Sequence, residues 1–386
     1  MEIRPIAFYL PQYHPIPEND EWWGKGFTEW TNVAKATPLF KGHHQPQLPA
    51  DLGFYDLRVP EIRQQQADLA KEAGIHGFCY YHYWFNGKRL LEKPFNEVLS
   101  SGQPDFPFML CWANENWTRR WDGGDKTILM KQEYGAADAR EHLLSLLPAF
   151  NDRRYIRINN KPVFVIYRST VIPDLEKYIE VFREEALKNG LELYLCRTET
   201  FGCYGNEYLK PGFDAAIEFQ PFHRSLEEYR GSIISNQLRK NLYLRIRFAI
   251  LRRTLSQIGM QKVYEKFFNN GFKNQSNIID YSNYVDFFIS TFQYPENYKL
   301  YPGVTPSWDN TARLGKNAYF LFKNSTPEKY AEFLTYQLQR FNPPSTEENF
   351  LFINAWNEWG EGNYLEPSQK WGRKYLEITK NVIQNA

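Results

Sequence analysis

Cysteine, methionine and net charge are all scarce in this chain, and each scarcity closes off a class of function. Four of the 386 residues are Cys and four are Met. Cys79, Cys111, Cys196 and Cys203 stand too far apart for a zinc knuckle, and three of them lie in apolar strand-like runs, so they read as buried free thiols. Lys and Arg number 46 against 45 Asp and Glu, a formal net charge of +1. That leaves no global field to attract nucleic acid or an acidic surface, and any basic contact has to be local. No apolar run reaches the roughly 18 residues of a bilayer span. The N-terminal MEIRPIAFYLPQYHP shows no charged leader followed by an apolar stretch and a small-residue cleavage site, so a cytoplasmic location is the expectation. Also missing are GxGxxG and Walker glycine loops, the GxSxG elbow, HExxH and any Cys pair at ligand spacing. Nicotinamide, flavin, kinase, serine-hydrolase and metal chemistry therefore lack a signature, and no cofactor is expected.

What the chain has in excess is aromatic side chains: 11 Trp, 26 Tyr and 29 Phe, 17% of all residues. Such rings stack on the apolar faces of sugars while their polar tips bind hydroxyls, which points toward carbohydrate. Hydrophobic residues at 42% and charged residues at 24% are ordinary for a folded globular protein. Short apolar runs alternate with helix patterns along nearly the whole chain, the order of a parallel α/β fold. The runs are Ile6–Leu10, Gly77–Tyr83, Phe108–Trp112, Val163–Tyr167, Leu193–Cys196, Ala215–Phe219, Leu300–Val304 and Phe350–Ala355. They predict a (β/α)8 TIM barrel forming one domain over residues 1–386. Expected helices are Pro60–Ala73, Ala137–Phe150, Pro173–Lys188, Pro327–Phe341 capped by Thr326, and Gln369–Ile383. Two segments break the alternation. Pro11–Asp56, rich in aromatics and proline, reads as an elaborated first βα loop roofing the site, and Phe222–Asn283 as a helical insertion.

In such a barrel the reacting groups come from the C-terminal ends of the strands. The last run, FINAWNEWGEG at Phe352–Gly362, places Glu358 and Glu361 just beyond a strand, among Asn357, Trp359 and two glycines. Two carboxyls at different effective pKa supply the proton donor and the stabilising or attacking group that a glycosidic bond requires, so these two are the candidate catalytic pair. Candidate sugar contacts at the other strand ends are Tyr9, His82, Trp84, Asn114, Glu115, Trp117, Trp308 and Asp309, together with Asn357 and Trp359. Plainer roles exist for each. GFCYYHYWF also suits barrel filling, His82 a hydrogen-bonded structural histidine, and Glu115 an ion pair with Arg119 or Arg120. Asp309 also suits a turn cap, and His43–His44 reads as an exposed loop doublet.

On these residues the chain resembles the WbsX proteins, a group also called glycoside hydrolase family 99-like or WbsX glycosyltransferases. The resemblance rests on AFYLPQYHPIPENDEWWGKGFTEW at Ala7–Trp30, GFCYYHYWF at Gly77–Phe85, WANENWTRRWDG at Trp112–Gly123, TPSWDNTAR at Thr305–Arg313 and NAWNEWGEGNYLEP at Asn354–Pro367. Through the last motif it is also similar to the endo-acting α-mannosidases of glycoside hydrolase family 99, (β/α)8 barrels with a related NEWxEG sequence. The resemblance implies a retaining route in which Glu358 takes the proton of the sugar 2-hydroxyl, a 1,2-anhydro sugar forms, and Glu361 protonates the leaving oxygen. Gly360 stands where those mannosidases commonly have His, which separates the shared chemistry from a shared mannose specificity.

The implied function is cleavage or transfer of glycosidic bonds in bacterial surface polysaccharide. Its alternatives are a glycosyltransferase of O-antigen, lipopolysaccharide or capsule assembly, and an inactive glycan-binding protein. The expected partner is an oligosaccharide or polysaccharide, with no nucleic acid. Within the insertion, Asn236–Gln261 carries Arg239, Lys240, Arg245, Arg247, Arg252 and Arg253 and no acid. It reads either as a peripheral contact with the anionic inner membrane face that brings in a lipid-linked glycan, or as a helix packed on the barrel with its basic face in water.

Overall fold

The computed structural model describes residues 2–119, 124–240, 278–318 and 320–385. The barrel strands are β1 Arg4–Tyr9, β2 Gly77–Phe85, β3 Phe108–Trp112, β4 Lys161–Ile166, β5 Tyr194–Glu199, β6 Ala215–Glu218, β7 in two pieces, Leu300–Tyr301 and Gly303–Val304, and β8 Phe350–Ile353. They run parallel, and consecutive strands are neighbours from β1 through β6, with β8 on the other side of β1. The seventh strand joins the ends. Leu300–Tyr301 pairs with β6 and Gly303–Val304 pairs with β8. Pro302, which has no N–H to give a ladder, sits at this switch, and its carbonyl accepts the Phe352 N–H at 2.8 Å. A Cβ at position 303 would lie 1.8 Å from the Glu218 carbonyl oxygen, so the close approach of β7 to β6 requires glycine there.

All eight expected runs become barrel strands. Their residues are buried almost without a break because side chains on one face fill the barrel and those on the other meet helices. Inside, Phe8 packs on Phe219 and Tyr81 with ring centroids 5.1 and 5.7 Å apart. Outside lie helices Pro60–Glu72, Lys93–Ser101, Ala136–Phe150, Leu175–Lys188, Arg224–Lys240, Tyr281–Thr291, Pro327–Arg340 and Lys374–Gln384. Thr326 caps its helix as expected, its hydroxyl accepting the Lys329 N–H at 3.2 Å. Lys93–Ser101 is a helix that sequence reasoning passed over, since nine residues with three buried leave little periodicity to read. The last helix starts at Lys374 rather than Gln369 because Ser368 and Gly372 first close a turn, the Gly372 N–H donating to the Ser368 carbonyl at 2.7 Å.

The first βα connection contains two short helices, Pro17–Trp23 and Glu29–Lys35. Of the insertion's described ends, Arg224–Lys240 is helical, and Ile278–Asp280 is a short strand parallel to Leu321–Lys323 that leads into helix Tyr281–Thr291; residues 241–277, and so most of the basic stretch read as a membrane contact, lie outside the described residues. Among the described residues no helix is long and apolar enough to cross a membrane. Cys79, Cys111 and Cys196 are buried free thiols, and burial pushes the first and last well up from the ordinary thiol value.

Candidate active site

A cavity of about 640 Å³ opens at the C-terminal ends of the strands. Leu10, Tyr81, Tyr83, Tyr167 and Phe219 line it from the barrel, Glu115 and Trp117 from beyond β3, Trp308, Asn310 and Arg313 from beyond β7, and Glu358 and Glu361 from beyond β8. The first loop adds Gln12, Asn19, Trp22 and Trp23, which gives it the roofing position expected of it. The insertion helix adds Leu226, Glu227 and Arg230, so this element forms part of the cleft wall.

Of the expected site residues, Glu115, Trp117, Trp308, Glu358 and Glu361 meet at this cavity; Tyr9, His82, Trp84, Asn114, Asp309, Asn357 and Trp359 do not line it. Strand parity explains the first three. Successive side chains of a strand point to opposite faces, so Tyr81 and Tyr83 face the cavity while His82 and Trp84 face the helices. His82 Nε2 meets His142 Nε2 at 2.9 Å, and the Trp84 indole donates to Asp138 at 2.7 Å. Burial lowers both histidines well below the ordinary value, so they form a neutral pair. Likewise Leu10 reaches the cavity, while the Tyr9 hydroxyl donates to Gln66 at 2.7 Å on the helix side.

The others hold loops in place. Asn114 accepts the Arg168 N–H at 2.7 Å and donates to its carbonyl at 2.9 Å. Asn357 does the same for Leu10, at 2.7 and 3.0 Å. Trp359 stacks on Tyr364 with centroids 3.7 Å apart and donates to Glu366 at 2.7 Å. Asp309 caps a turn by accepting from the Thr311 N–H and hydroxyl, and binds His43 at 2.8 Å. His43 is therefore not an exposed loop residue, its side chain being 4% accessible. Glu115 pairs with Arg168 at 2.7 Å, a partner 53 residues away that local spacing does not suggest.

The glutamates share one guanidinium. Arg313 Nη1 lies 2.6 Å from Glu361 and Nη2 lies 3.6 Å from Glu358, while Nε donates to Glu29 at 2.7 Å. Burial, followed by the charge of Glu361, pushes the Glu358 carboxyl well above the ordinary carboxylate range against the pull of Arg313. Burial acts to lower Arg313, yet Glu29, Glu361 and Glu358 together hold it well above its usual value and fully charged. The two carboxyls thus have unlike environments, the condition for dividing acid and base work between them. Glu29, Tyr81, Tyr83 and Arg313 went unnamed as site candidates; for the tyrosines the signal was available in the alternation of GFCYYHYWF.

Four cavity-lining side chains also carry buried polar atoms without a protein partner: both amide atoms of Asn19, Nδ1 of His223, Nε1 of Trp308 and Oδ1 of Asn310. His223 is held from its other side by Glu199 at 3.2 Å. Unpaired donors and acceptors in an aromatic cleft are suited to a ligand rich in hydroxyls. Among the described residues no group of three or more His, Cys, Asp or Glu side chains is arranged to hold a metal ion.

The chain is similar to solved structures in fold and to one family in sequence. The whole barrel superimposes on a family 99 endo-α-mannosidase from Bacteroides thetaiotaomicron with a TM-score of 0.57 at 12% identity, covering 99% of this chain and 97% of the other. A glycoside hydrolase-like protein gives 0.55 at 14% identity, covering 99% and 94%. In sequence, the chain is 37% identical over 389 aligned residues to WxcX, described as an uncharacterized protein, in two strains of Xanthomonas campestris pv. campestris. That alignment takes in 99% of this chain and 50% of the relative, so the chain spans about half the length of the curated relatives it matches. Residues 5–379 match the family described as Glycosyltransferase WbsX, and the chain belongs to that family.

Proposed function

We propose that this protein is a carbohydrate-active enzyme that cleaves or transfers glycosidic bonds in bacterial surface polysaccharide with retention, using Glu358 and Glu361. The observation that carries this reading is the pair of glutamates bridged by one arginine beside an aromatic cleft with unpaired polar atoms. Glu358 takes the proton of the sugar 2-hydroxyl as that oxygen attacks the anomeric carbon. The bond to the leaving oxygen breaks, Glu361 delivers its proton there, and a 1,2-anhydro sugar remains. Glu361, now a carboxylate, removes a proton from the incoming hydroxyl as it opens the strained ring, and Glu358 returns its proton to O2. One proton on the pair is enough for the cycle. Burial raises the Glu358 carboxyl, so loss of its proton precedes its work as the base. Aromatic walls such as Trp117 and Trp308 stack on the sugars, and Asn19 and Asn310 bind hydroxyls.

Water as the incoming hydroxyl gives hydrolysis; a sugar gives transfer. The glycosyltransferase description of the family favours the second outcome as an alternative. Purified protein incubated with bacterial surface polysaccharide distinguishes them. Released reducing ends mean hydrolysis, elongation of an acceptor means transfer, and binding without turnover means a glycan-binding protein. Turnover at full rate after Glu361→Gln refutes the assignment. A lipid-linked acceptor at the inner membrane face would engage the basic stretch 236–261, and unchanged liposome association after replacing Arg245, Arg247, Arg252 and Arg253 rules that contact out.

A further inference from the structure

Gly360, between the two glutamates, leaves a gap in the wall of the site, and a third carboxylate fills it. A Cβ at position 360 would lie 1.5 Å from Glu29 Oε1 and 3.0 Å from Arg313 Nε. Glu29 opens the short helix Glu29–Lys35 in the first βα loop, where its N–H bonds to the Gln12 carbonyl and its side chain is 0% accessible. Its Oε1 accepts Arg313 Nε at 2.7 Å. The three carboxylates take the three different nitrogens of the guanidinium, which orients the planar fork in one way.

We propose that Glu29, seated in the space left by Gly360, is a positioning residue that fixes Arg313 close to Glu361 and at one remove from Glu358. Glu29 does not line the cavity; it acts through Arg313. Loss of its hold on Nε removes one anchor of the guanidinium and lets it shift toward Glu358, which narrows the difference between the two glutamates. The arrangement is a property of this chain's glycine: any side chain at 360 excludes the Glu29 carboxylate from its place. The first βα loop and the last strand end are thereby coupled, so a change in either reaches the acid and base pair. The groups facing Glu358 are Glu361 on its own turn, Arg313 from beyond β7, Glu29 from the first loop, Tyr81 and Tyr83 from β2 and Tyr167 from the end of β4.

The inference rests on the glutamate-pair reading, yet its test uses ligand-free protein and needs no turnover. The infrared band of a protonated carboxyl that disappears in Glu358→Gln reports the titration of Glu358. Glu29→Gln keeps the oxygen that accepts from Arg313 and removes only its charge, whereas Glu29→Ala also releases Nε; the midpoint should fall in both, and by about one pH unit more in Glu29→Ala. A role through charge alone moves the midpoint equally in both variants. Thermal melts of Gly360→Ala, Glu29→Ala and the double variant form the second arm: Gly360→Ala should destabilise the wild-type background and have little effect where residue 29 is Ala. Equal midpoints in folded Glu29→Gln and Glu29→Ala, or equal cost of Gly360→Ala in both backgrounds, overturn the proposal. If those results hold and glycan turnover is absent, the positioning role stands while the enzymatic reading fails.

Discussion

Replacing Glu366 by Gln should flatten the dependence of stability on pH near neutrality. Glu366 is 2% accessible and sits behind the NEWGEG turn, where Oε2 accepts from the Tyr55 hydroxyl at 2.9 Å and the Trp359 indole at 2.7 Å. Oε1 accepts from the Gln66 amide at 2.6 Å, and Gln66 in turn accepts from Tyr9. Burial raises its carboxyl from the ordinary 4.5 to about 7, its hydrogen bonds only partly offsetting it. Between those two values the folded protein keeps a proton that the unfolded chain has lost. The stabilisation is complete below pH 4.5 and is lost as pH rises to about 7, beyond which the loss levels off. At about 1.4 kcal/mol per pH unit the total is about 3 kcal/mol. An amide at 366 does not titrate, and a flip of the Gln66 amide supplies its NH2 with an acceptor. The assay is chemical denaturation of wild type and Glu366→Gln across this interval. Wild type should lose about 3 kcal/mol relative to the variant; parallel curves refute the placement of the proton.

Glu361→Gln and Glu358→Gln should each lower glycan turnover by about 10²–10⁴-fold, the contribution of a positioned acid or base, with binding retained in calorimetry. Trp117→Ala should weaken oligosaccharide binding by about tenfold through lost stacking, whereas Trp84→Phe, whose indole donates to Asp138 behind the barrel, should lower the melting temperature and leave binding unchanged. Gly303→Ala should cost at least about 2 kcal/mol of stability or abolish soluble expression, because its Cβ meets the Glu218 carbonyl; a melt like wild type's counts against the barrel closure described above.

Local pattern carried the fold far. Parallel strands buried on both faces must be near-continuous apolar runs, and every such run became a strand. The pattern is weaker for short helices such as Lys93–Ser101, and silent on Pro302, where β7 changes partners. Within the site, the strand-end rule located Glu358, Glu361, Glu115, Trp117 and Trp308 at the cavity. It faltered where position along a strand was used without parity, since a shift of one residue moves a side chain from the barrel mouth to the helix layer. Tyr81 and Tyr83 face the cleft, and His82 and Trp84 face Ala136–Phe150.

The amino-acid order by itself determined the barrel, the free thiols and the strand end that bears the two glutamates, because each follows from side chains within a few residues of one another. Residue type and spacing alone left those glutamates equivalent. Arg313 lies nearer to Glu361 than to Glu358, and its Nε is bound by Glu29, 284 residues earlier in the chain. No periodicity relates such positions. They meet because barrel closure brings the first loop against the eighth strand end, and because Gly360 has no side chain to keep them apart.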